Sequence, residues 1–294
     1  LSSTRRLGSR MFGGPVARGP DHARTYSFMT LKPVTSKNDI RLDDADARLA
    51  GKTQPRAAIE RATAKEIERI AEQQRVLYAD ARYALLIVLQ GRDAAGKDGT
   101  IRKVFTAVNP QGCSVYGFKA PTEAERAQDF LWRVHYRVPP RGMIGIFNRS
   151  HYEDILVPRV HKLVPQRVWF ARYRQINEFE RLLSDNNVII LKFLLHISRD
   201  EQKRRVKERL TDPSKNWKFR LGDLDDRQLW DDFTKAYSGI LRHTSTKWAP
   251  WYVVPADDKP VRDWLVAEVI ADTMRGLKLR YPPPDPSIIG LEID

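Results

Sequence analysis

Apolar residues follow two alternating patterns along most of the chain. Short continuous apolar runs predict strands buried on both faces, at residues 84–89, 143–147, 188–197 and 251–254. Between these runs, apolar residues recur every three or four positions. That spacing predicts helices at residues 55–82, 101–108, 123–135, 172–183, 199–220, 229–243 and 261–277. The alternation predicts an α/β fold with a mainly parallel sheet.

The two ends of the chain lack these patterns. Residues 1–38 are rich in Arg, Gly and Ser, which predicts a disordered basic tail. Met29 favours a translation start inside this tail; an arm that contacts a polyanion and a targeting segment are the alternatives. Residues 39–282 are expected to form one domain, and residues 283–294 a C-terminal tail. No apolar run approaches the roughly 18 residues of a membrane span, so no membrane association is expected.

Composition narrows the classes of function. The 294 residues include 51 Lys and Arg against 37 Asp and Glu, a net charge of +14. Such a charge predicts a polyanionic partner, and the candidates are nucleic acid, acidic lipid and phosphate-rich compounds. Cys113 is the only cysteine, so a disulfide within the chain is excluded. A reducing compartment, the cytoplasm, is the simplest expectation.

A glycine-containing segment directly follows the first predicted strand. Residues 91–97 read GRDAAGK, which fits the pattern G-x-x-x-x-G-K of a phosphate loop between a strand and a helix. Gly91 and Gly96 allow the backbone to approach a phosphate closely, and Lys97 supplies a positive charge. The other positions expected to cradle phosphate are Ala94, Ala95 and Gly99. An ordinary turn with a lysine at the surface is the alternative.

Two carboxylates belong to the same segment. Asp93 lies inside the phosphate loop, and Asp98 stands where most such loops have Ser or Thr. Two carboxylates would repel a bound phosphate unless a cation lay between them. The pair therefore predicts Mg²⁺, or alternatively Mn²⁺, with Asp93 as a ligand and Asp98 as a second candidate. A favourable interaction of Asp98 with the helix dipole is the alternative.

A polar pair follows another predicted strand. Asn148 and Arg149 come directly after the strand at 143–147. Ligands bind at the carboxyl ends of strands in open α/β sheets, so we expect this pair to hold metal-bound water and a transferring phosphate. A polar turn that only ends the strand is the alternative.

A strongly basic segment follows the strand at 188–197. Residues 199–220 contain nine Lys or Arg and four Asp or Glu. Arg205 and Arg209 are four positions apart and would share one face of a helix. This arrangement predicts a lid segment, residues 199–228, whose arginines close on phosphates. A charged helix that only faces solvent is the alternative.

Seven short motifs occur in a fixed order within residues 40–282. They are GRDAAGKDG at 91–99, GFKAPT at 117–122, DFLWR at 129–133, GIFNRSHYED at 145–154, WKF at 217–219, DLD at 223–225 and APWYVVPA at 249–256. With these motifs the chain resembles the second family of polyphosphate kinases. The resemblance implies a three-layer α/β/α fold of the thymidylate-kinase type, with a phosphate loop and a helical lid.

The resemblance also implies an activity and the residues that carry it. The reaction is Mg²⁺-dependent, reversible phosphoryl transfer between inorganic polyphosphate and a nucleotide. Asp93 and Lys97 match the family's loop residues, and the Asn148-Arg149 pair matches its second strand end. The matching lid residues are Arg204, Arg205, Arg209 and Lys218. Many relatives carry Asp in place of Asn148, which leaves the choice between AMP and ADP open and favours the branch that raises AMP through ADP to ATP.

The expected partners are inorganic polyphosphate and ADP or ATP, with AMP and guanine nucleotides as further candidates. Nucleic acid is not expected, and a homodimer or homotetramer is. Arg133 is a candidate for binding nucleotide. The candidates for binding polyphosphate are Arg102, Lys103, Lys119, Arg204 and Lys218. Two alternatives remain: an ATP-dependent nucleoside monophosphate kinase, and a nucleic-acid-binding protein with a phosphate loop.

Overall fold

Five parallel strands form the centre of the molecule. The computed structural model describes residues 30–35, 40–48 and 54–293. Within these ranges the strands are β1 (Ala84–Gln90), β2 (Cys113–Gly117), β3 (Ile144–Asn148), β4 (Val188–His196) and β5 (Trp251–Pro255). Their order in the sheet is β2-β3-β1-β4-β5, and every pairing is parallel. The expected α/β fold with a mainly parallel sheet is confirmed.

Ten α-helices lie within the described residues. They are α1 (Arg56–Asp80), α2 (Lys97–Val104), α3 (Glu123–Arg126), α4 (Trp132–His135), α5 (Glu153–Val160), α6 (Gln166–Asp185), α7 (Arg199–Thr211), α8 (Gly222–Gln228), α9 (Trp230–Thr244) and α10 (Lys259–Gly276). Helices α1, α2 and α10 pack on one face of the sheet, and α5, α6 and α9 pack on the other. None of these described helices has the length and apolar character needed to cross a membrane.

Strand β1 shows why its apolar run is continuous. Leu85, Ile87 and Leu89 pack toward α1 and α10, whereas Leu86 and Val88 pack toward the helices on the other face. All five side chains are fully buried. Burying each one stabilises the fold by about 1.5–3 kcal/mol. A strand covered by helices on both faces therefore needs an apolar residue at every position.

Strand β2 is absent from the sequence prediction. It lies at one edge of the sheet, beside β3, and Ser114, Val115 and Gly117 are exposed. An edge strand that faces solvent does not need a continuous apolar run. The short pattern Cys-Ser-Val-Tyr-Gly therefore gives too weak a signal to predict a strand.

The basic helix predicted at 199–220 is shorter in the structure. Helix α7 ends at Thr211, because Pro213 disfavours helical backbone at the residue before it. The chain then passes through a short 3₁₀ turn at Asn216–Lys218 before α8 begins. The lid segment thus contains two helices joined by a turn.

The helix predicted at 123–135 is divided into α3 and α4. Thr122 and Glu125 form a capping box that begins α3. The Asp129 carboxylate then accepts a hydrogen bond from the Leu131 backbone N–H at 2.9 Å. This local bond replaces a helical one and separates the two single-turn helices.

The predicted N-terminal tail is only partly described. The Val34 N–H donates to the Trp251 carbonyl oxygen at 2.8 Å, and the Ser245 hydroxyl donates to the Val34 carbonyl oxygen at 2.6 Å. Val34 of the predicted tail is therefore held against the domain, and the expectation that residues 1–38 form a disordered tail stays a prediction. Residues 1–29, with Met29, and residues 36–39 lie outside the described residues.

The carboxyl ends of the parallel strands meet at one edge of the sheet. Strand β1 leads into the phosphate loop and β3 leads into Arg149, whose N–H donates to the Leu89 carbonyl oxygen at 3.0 Å. Strands β4 and β5 lead into α7 and α10. The fold therefore brings the segments singled out from the sequence to one place.

Candidate active site

The phosphate loop has a backbone conformation that requires its glycines. Gly91, Ala94 and Gly96 have φ angles of +151°, +65° and +106°, in the region that favours glycine. A Cβ on Gly91 would lie 2.6 Å from a carbonyl oxygen of β4. A Cβ on Gly96 would lie 1.9 Å from a guanidinium nitrogen of Arg262 on α10. Gly91 is thus required by the close approach of β4 as well as by its backbone angle, and Gly96 is required by its backbone angle.

Two buried arginines donate hydrogen bonds to the carbonyl oxygens of the loop. Arg205 Nη1 donates to Ala94 at 3.0 Å and to Ala95 at 3.2 Å. Arg262 Nη1 donates to the second of these oxygens at 3.3 Å. The N–H of a trans peptide points away from its C=O. The arginines therefore direct the following N–H groups toward the other side of the loop.

Arg205 has a different place from the one predicted for it. Its Nη2 donates to the carbonyl oxygens of Ala256 and Asp257 at 2.7 and 2.8 Å, and its Nε donates to the Glu201 carboxylate at 2.7 Å. Together with the loop contacts, these bonds use all five N–H groups of the guanidinium, which is only 6% exposed. Arg205 therefore holds the loop in this structure, and its expected lid role stays a prediction.

Lys97 begins α2 and is buried, with 8% of its surface exposed. Its ammonium group donates to the carbonyl oxygens of Gly91 at 2.7 Å and Arg92 at 3.2 Å. Burial, reinforced by the positive charge of Arg149, lowers the pKa of Lys97 to about 8. The loop therefore surrounds a cation whose charged form a bound phosphate would stabilise.

Asp93 of the loop contacts Arg149 at the end of β3. One Nη group of Arg149 donates to the Asp93 carboxylate, and the other donates to Glu153 at 3.3 Å. Burial opposes ionisation of Asp93, but the charges of Arg149, Lys97 and Arg209 lower its pKa below the ordinary value. Asp93, Lys97 and Arg149, three of the residues expected in the site, therefore lie close enough to act on one another.

Asp98 and Asn148 are also in contact, as residues of one site should be. The Asn148 amide donates to the Asp98 carboxylate at 2.6 Å. Lys218, from the 3₁₀ turn of the lid segment, lies 3.9 Å from the other carboxylate oxygen, and the Asp98 side chain is 66% exposed. An accessible carboxylate therefore stands between the phosphate loop, the end of β3 and the lid segment.

This site lies within a region shared with known proteins. The family described as Polyphosphate kinase 2 (PPK2) matches residues 53–281. The chain belongs to this family. The polyphosphate kinase 2 family is a kinase-type phosphotransferase family, which implies a requirement for a divalent metal in general terms. Family membership thus agrees with the acidic and basic residues of the site.

Two relatives match over most of their length. The AMP/ADP-polyphosphate phosphotransferase of Meiothermus ruber is 54% identical over 243 residues, which cover 83% of this chain and 90% of the relative. The ADP-polyphosphate phosphotransferase of Rhodopseudomonas palustris is 47% identical over 234 residues, which cover 76% and 81%. The crystal structure of Polyphosphate Kinase 2 from Arthrobacter aurescens TC1 is similar with a TM-score of 0.77 and 39% identity, covering 88% of this chain and 95% of that one. The expected fold of phosphate-loop kinases is confirmed.

Arg133 does not contact the phosphate loop in this polyphosphate kinase 2 chain. It is 7% exposed and donates to the Lys119 carbonyl oxygen at 2.8 Å and to the Asp154 carboxylate at 3.2 Å. Its Nη1 also lies 3.5 Å from the Glu125 carboxylate. These contacts join α3, α4 and α5. The structure therefore gives Arg133 a part in packing, and its predicted contact with nucleotide stays a prediction.

The residues predicted to bind polyphosphate are spread over several elements. Arg102 and Lys103 lie in the last turn of α2 and are exposed, as is Lys119 after β2. Arg204 is exposed and pairs with Glu201 at 2.7 Å. Gly99 lies in the first turn of α2, and Lys218 reaches the site through its approach to Asp98.

Sequence reasoning missed three residues that shape the loop. Arg92 lies over the Trp230 ring at 3.7 Å and donates to the Trp230 carbonyl oxygen at 2.8 Å, which ties the loop to α9. Gln202 of α7 donates to the Asp93 carbonyl oxygen at 3.3 Å. Arg262 is the third, and its signal was present: it is a charged residue on the buried face of an apolar helix. Such a residue needs a partner, and the loop provides one.

Proposed function

We propose that this protein transfers phosphoryl groups reversibly between inorganic polyphosphate and a nucleotide, with ADP and AMP as acceptors. The observation that carries the proposal is the contact of the loop carboxylate Asp93 with Arg149, beside the buried ammonium of Lys97. Membership of the polyphosphate kinase 2 family supports it. So does the name of the Meiothermus ruber relative, which includes both AMP and ADP.

Phosphoryl transfer depends more on neutralising charge than on a strong base. The terminal phosphate of ADP or AMP is already anionic near neutral pH, so no side chain has to remove a proton. Lys97 and Arg149 are the residues proposed to neutralise the oxygens of the transferring group. Arg209 adds a third positive charge, which acts on the same carboxylate, Asp93. Holding the two substrates in line supplies the rest of the acceleration.

The oxygen donors of the site fit a hard divalent cation. The lowered pKa of Asp93 keeps this carboxylate ionised, and Asp98 is accessible. Among the described residues, no group of three or more His, Cys, Asp or Glu side chains is arranged to hold a metal. Mg²⁺ commonly binds one or two carboxylates together with substrate phosphates, so we propose Asp93, with Asp98 as a second ligand, for Mg²⁺ or Mn²⁺. When bound, the metal would neutralise charge on the phosphate oxygens.

Asn148 bears on the choice of acceptor. A carboxylate at this position would stand 2.6 Å from Asp98 and add a second negative charge there, whereas the amide donates a hydrogen bond. We propose that the neutral side chain favours AMP as an acceptor in addition to ADP. Guanine nucleotides are a lesser candidate, on the 32% identity of the GDP-polyphosphate phosphotransferase of Pseudomonas aeruginosa.

The basic surface is proposed to bind the polymer. A long polyanion is bound by a series of cations, and such binding weakens as salt is added. The residues proposed for this contact are Arg102, Lys103, Lys119, Arg204 and Lys218. A homodimer or homotetramer and a cytoplasmic location stay predictions from the sequence.

One incubation tests the proposed function. Purified protein, Mg²⁺ and long-chain polyphosphate are mixed with ADP or with AMP, without added nucleoside triphosphate, and the products are separated by nucleotide chromatography. We expect ATP from ADP, and ADP followed by ATP from AMP. Absence of product with polyphosphate, together with product when ATP and a nucleoside monophosphate are supplied, would overturn the proposal in favour of an ATP-dependent kinase.

A matched pair of lysine variants connects the activity to the loop. Lys97→Met removes the buried ammonium and is expected to lower the rate about 100-fold or more. Lys235→Met removes a surface ammonium of α9, 70% exposed, and is expected to keep the wild-type rate. Retention of more than about a tenth of the rate in Lys97→Met would remove Lys97 from the proposed mechanism.

A further inference from the structure

Four fully buried polar side chains form a cluster next to Arg149, here called the Glu180 cluster. His151 and Tyr152 follow Arg149 in the chain, Glu180 lies on α6 and Lys192 on β4, and each is 0% exposed. Lys192 Nζ donates to the Tyr152 hydroxyl at 2.7 Å, to Glu180 at 2.6 Å and to a carbonyl oxygen at the end of α9 at 2.8 Å. All three N–H groups of the ammonium are therefore used.

Glu180 is the shared acceptor of this cluster. One of its oxygens accepts hydrogen bonds from the Tyr152 hydroxyl at 2.8 Å and from His151 Nε2 at 3.1 Å. Burial opposes ionisation, but the ammonium of Lys192 lowers the pKa of Glu180 below its ordinary value. An ionised carboxylate only accepts hydrogen bonds, which assigns the proton of His151 to Nε2. One carboxylate thus fixes the side chains that lie two and three positions after Arg149 in the chain.

Arg149 has a backbone conformation that needs such support. Its φ is +63°, a strained value for a residue with a side chain, and strain of this kind persists only where the surroundings fix it. Strand β1 holds one side, because the Arg149 N–H donates to Leu89 and the Gln90 side chain lies 3.0 Å from the Ser150 hydroxyl. The Glu180 cluster holds the chain on the other side.

We propose that Glu180 and Lys192 are positioning residues that hold the Arg149 guanidinium in place for phosphoryl transfer. The inference rests on the proposed function. We assign neither residue a contact with substrate, since both are fully buried and act through His151 and Tyr152. A buried ion pair contributes little to stability over an apolar pair of the same size, because the loss of hydration offsets the attraction. The stability of the fold alone therefore does not explain why Glu180 and Lys192 form a buried ion pair, whereas a role in positioning Arg149 does.

The test separates positioning from stability. In the double variant Glu180→Gln/Lys192→Met both charges are removed together, so no unpaired charge is left buried and the fold is expected to persist. We expect kcat for polyphosphate-dependent ATP formation to fall about tenfold or more, while KM for ADP changes by less than about threefold. Hydrogen exchange at residues 148–152 should become faster than in wild type, with the rest of the sheet unchanged.

Two further variants complete the experiment. Gln74→Leu is the matched control, because Gln74 is a buried polar residue, 2% exposed, on α1 at the opposite face of the sheet. It should change neither kcat nor exchange at residues 148–152. Tyr152→Phe removes one hydroxyl and keeps the ion pair. It should lower kcat about threefold and speed exchange in the same segment, and it decides the question if the double variant does not fold.

Unchanged kcat and unchanged exchange in Tyr152→Phe and in the double variant would overturn the inference. Faster exchange across the whole sheet, with kcat falling in proportion, would also overturn it, because that pattern indicates general loss of stability. A wild-type protein without polyphosphate-dependent activity would instead refute the proposed function. In that case the exchange rates alone show whether the Glu180 cluster holds residues 148–152.

Discussion

Arg205 of α7 donates a hydrogen bond to the carbonyl oxygen of Ala94 in the phosphate loop at 3.0 Å. The same guanidinium holds the backbone that follows β5. It therefore joins three segments that come from distant parts of the sequence. The first helix of the lid segment is in this way part of the support of the loop.

Replacing Arg205 should damage stability and substrate binding together. Arg205→Met leaves four carbonyl oxygens without this donor, and each buried carbonyl without a partner costs about 1–3 kcal/mol unless water reaches it. We expect a lower Tm, a higher KM for nucleotide and a lower kcat. Lys203→Met is the matched control, because Lys203 is an exposed residue of the same helix with no part in the proposed site. Unchanged Tm with a reduced kcat in Arg205→Met would instead support the lid role predicted from the sequence.

Loss of the Lys97 charge should lower the activity of the free enzyme at alkaline pH. Its pKa is lowered to about 8, so its charge is present below about pH 8 and is lost as the pH rises through this value. We expect kcat/KM to fall above about pH 8, whereas kcat, which reports the loaded enzyme, should fall only at higher pH because phosphates stabilise the ammonium. Rates measured from about pH 6 to about pH 10 check this. In Lys97→Arg, which stays charged, kcat/KM should not fall above about pH 8. The same fall in this variant would show that another group causes it.

The two candidate metal ligands should differ in importance. Asp93 lies inside the loop with a lowered pKa, whereas Asp98 is largely exposed and bonded to Asn148. We expect Asp93→Asn to raise the Mg²⁺ concentration for half-maximal rate about tenfold or more, and Asp98→Asn to raise it less. Rates measured over a range of Mg²⁺ concentrations distinguish the two. The reverse order would make Asp98 the main ligand.

Glu268 on α10 should make stability depend on pH. Burial, together with the carboxylates of Asp272 and Glu66, raises the pKa of Glu268 to about 7. The folded state therefore holds this proton more tightly than the unfolded chain, and the stability that it gives is complete below about pH 4.5 and lost as the pH rises through about 7. Glu268→Gln should raise the free energy of unfolding at about pH 8 by about 1 kcal/mol, a value reduced because the group is partly exposed. At about pH 4.5 the variant should match wild type.

Thermal unfolding at the two pH values measures this difference. Glu72→Gln on α1 serves as the control, because Glu72 is exposed. It should give the same small change at both pH values. An equal effect of Glu268→Gln at both pH values would show that the pKa of this carboxylate is the same in the folded and unfolded states.

The fold was predictable where the signal is local and strong. Strands β1 and β4 are buried on both faces, so their sequences are continuously apolar and their assignment is straightforward. Strand β2 has no such run, because it lies at the edge and its pairing with β3 is decided by tertiary structure. The end of α7 was predictable from Pro213, but the many basic residues on both sides of it concealed it.

The site, like the fold, contains residues that a local sequence pattern identifies and others that only tertiary packing decides. The spacing of Gly91, Gly96 and Lys97 is fixed by a single turn of backbone, so the sequence alone identifies the phosphate loop. The contact of Asp93 with Arg149 follows from the rule that carboxyl ends of parallel strands meet. A run of charges, in contrast, does not show which member faces inward. Arg205 is buried while Arg204, its neighbour, is exposed, and only the packing of α7 decides this.

The close approach of Arg262 to Gly96 makes these two positions dependent on each other. A side chain at position 96 would collide with the guanidinium, so the Arg262 side chain would have to turn away. Turning away would release the carbonyl oxygen that Arg262 holds. The constraint that phosphate binding places on a glycine therefore extends to the last α-helix of the described chain.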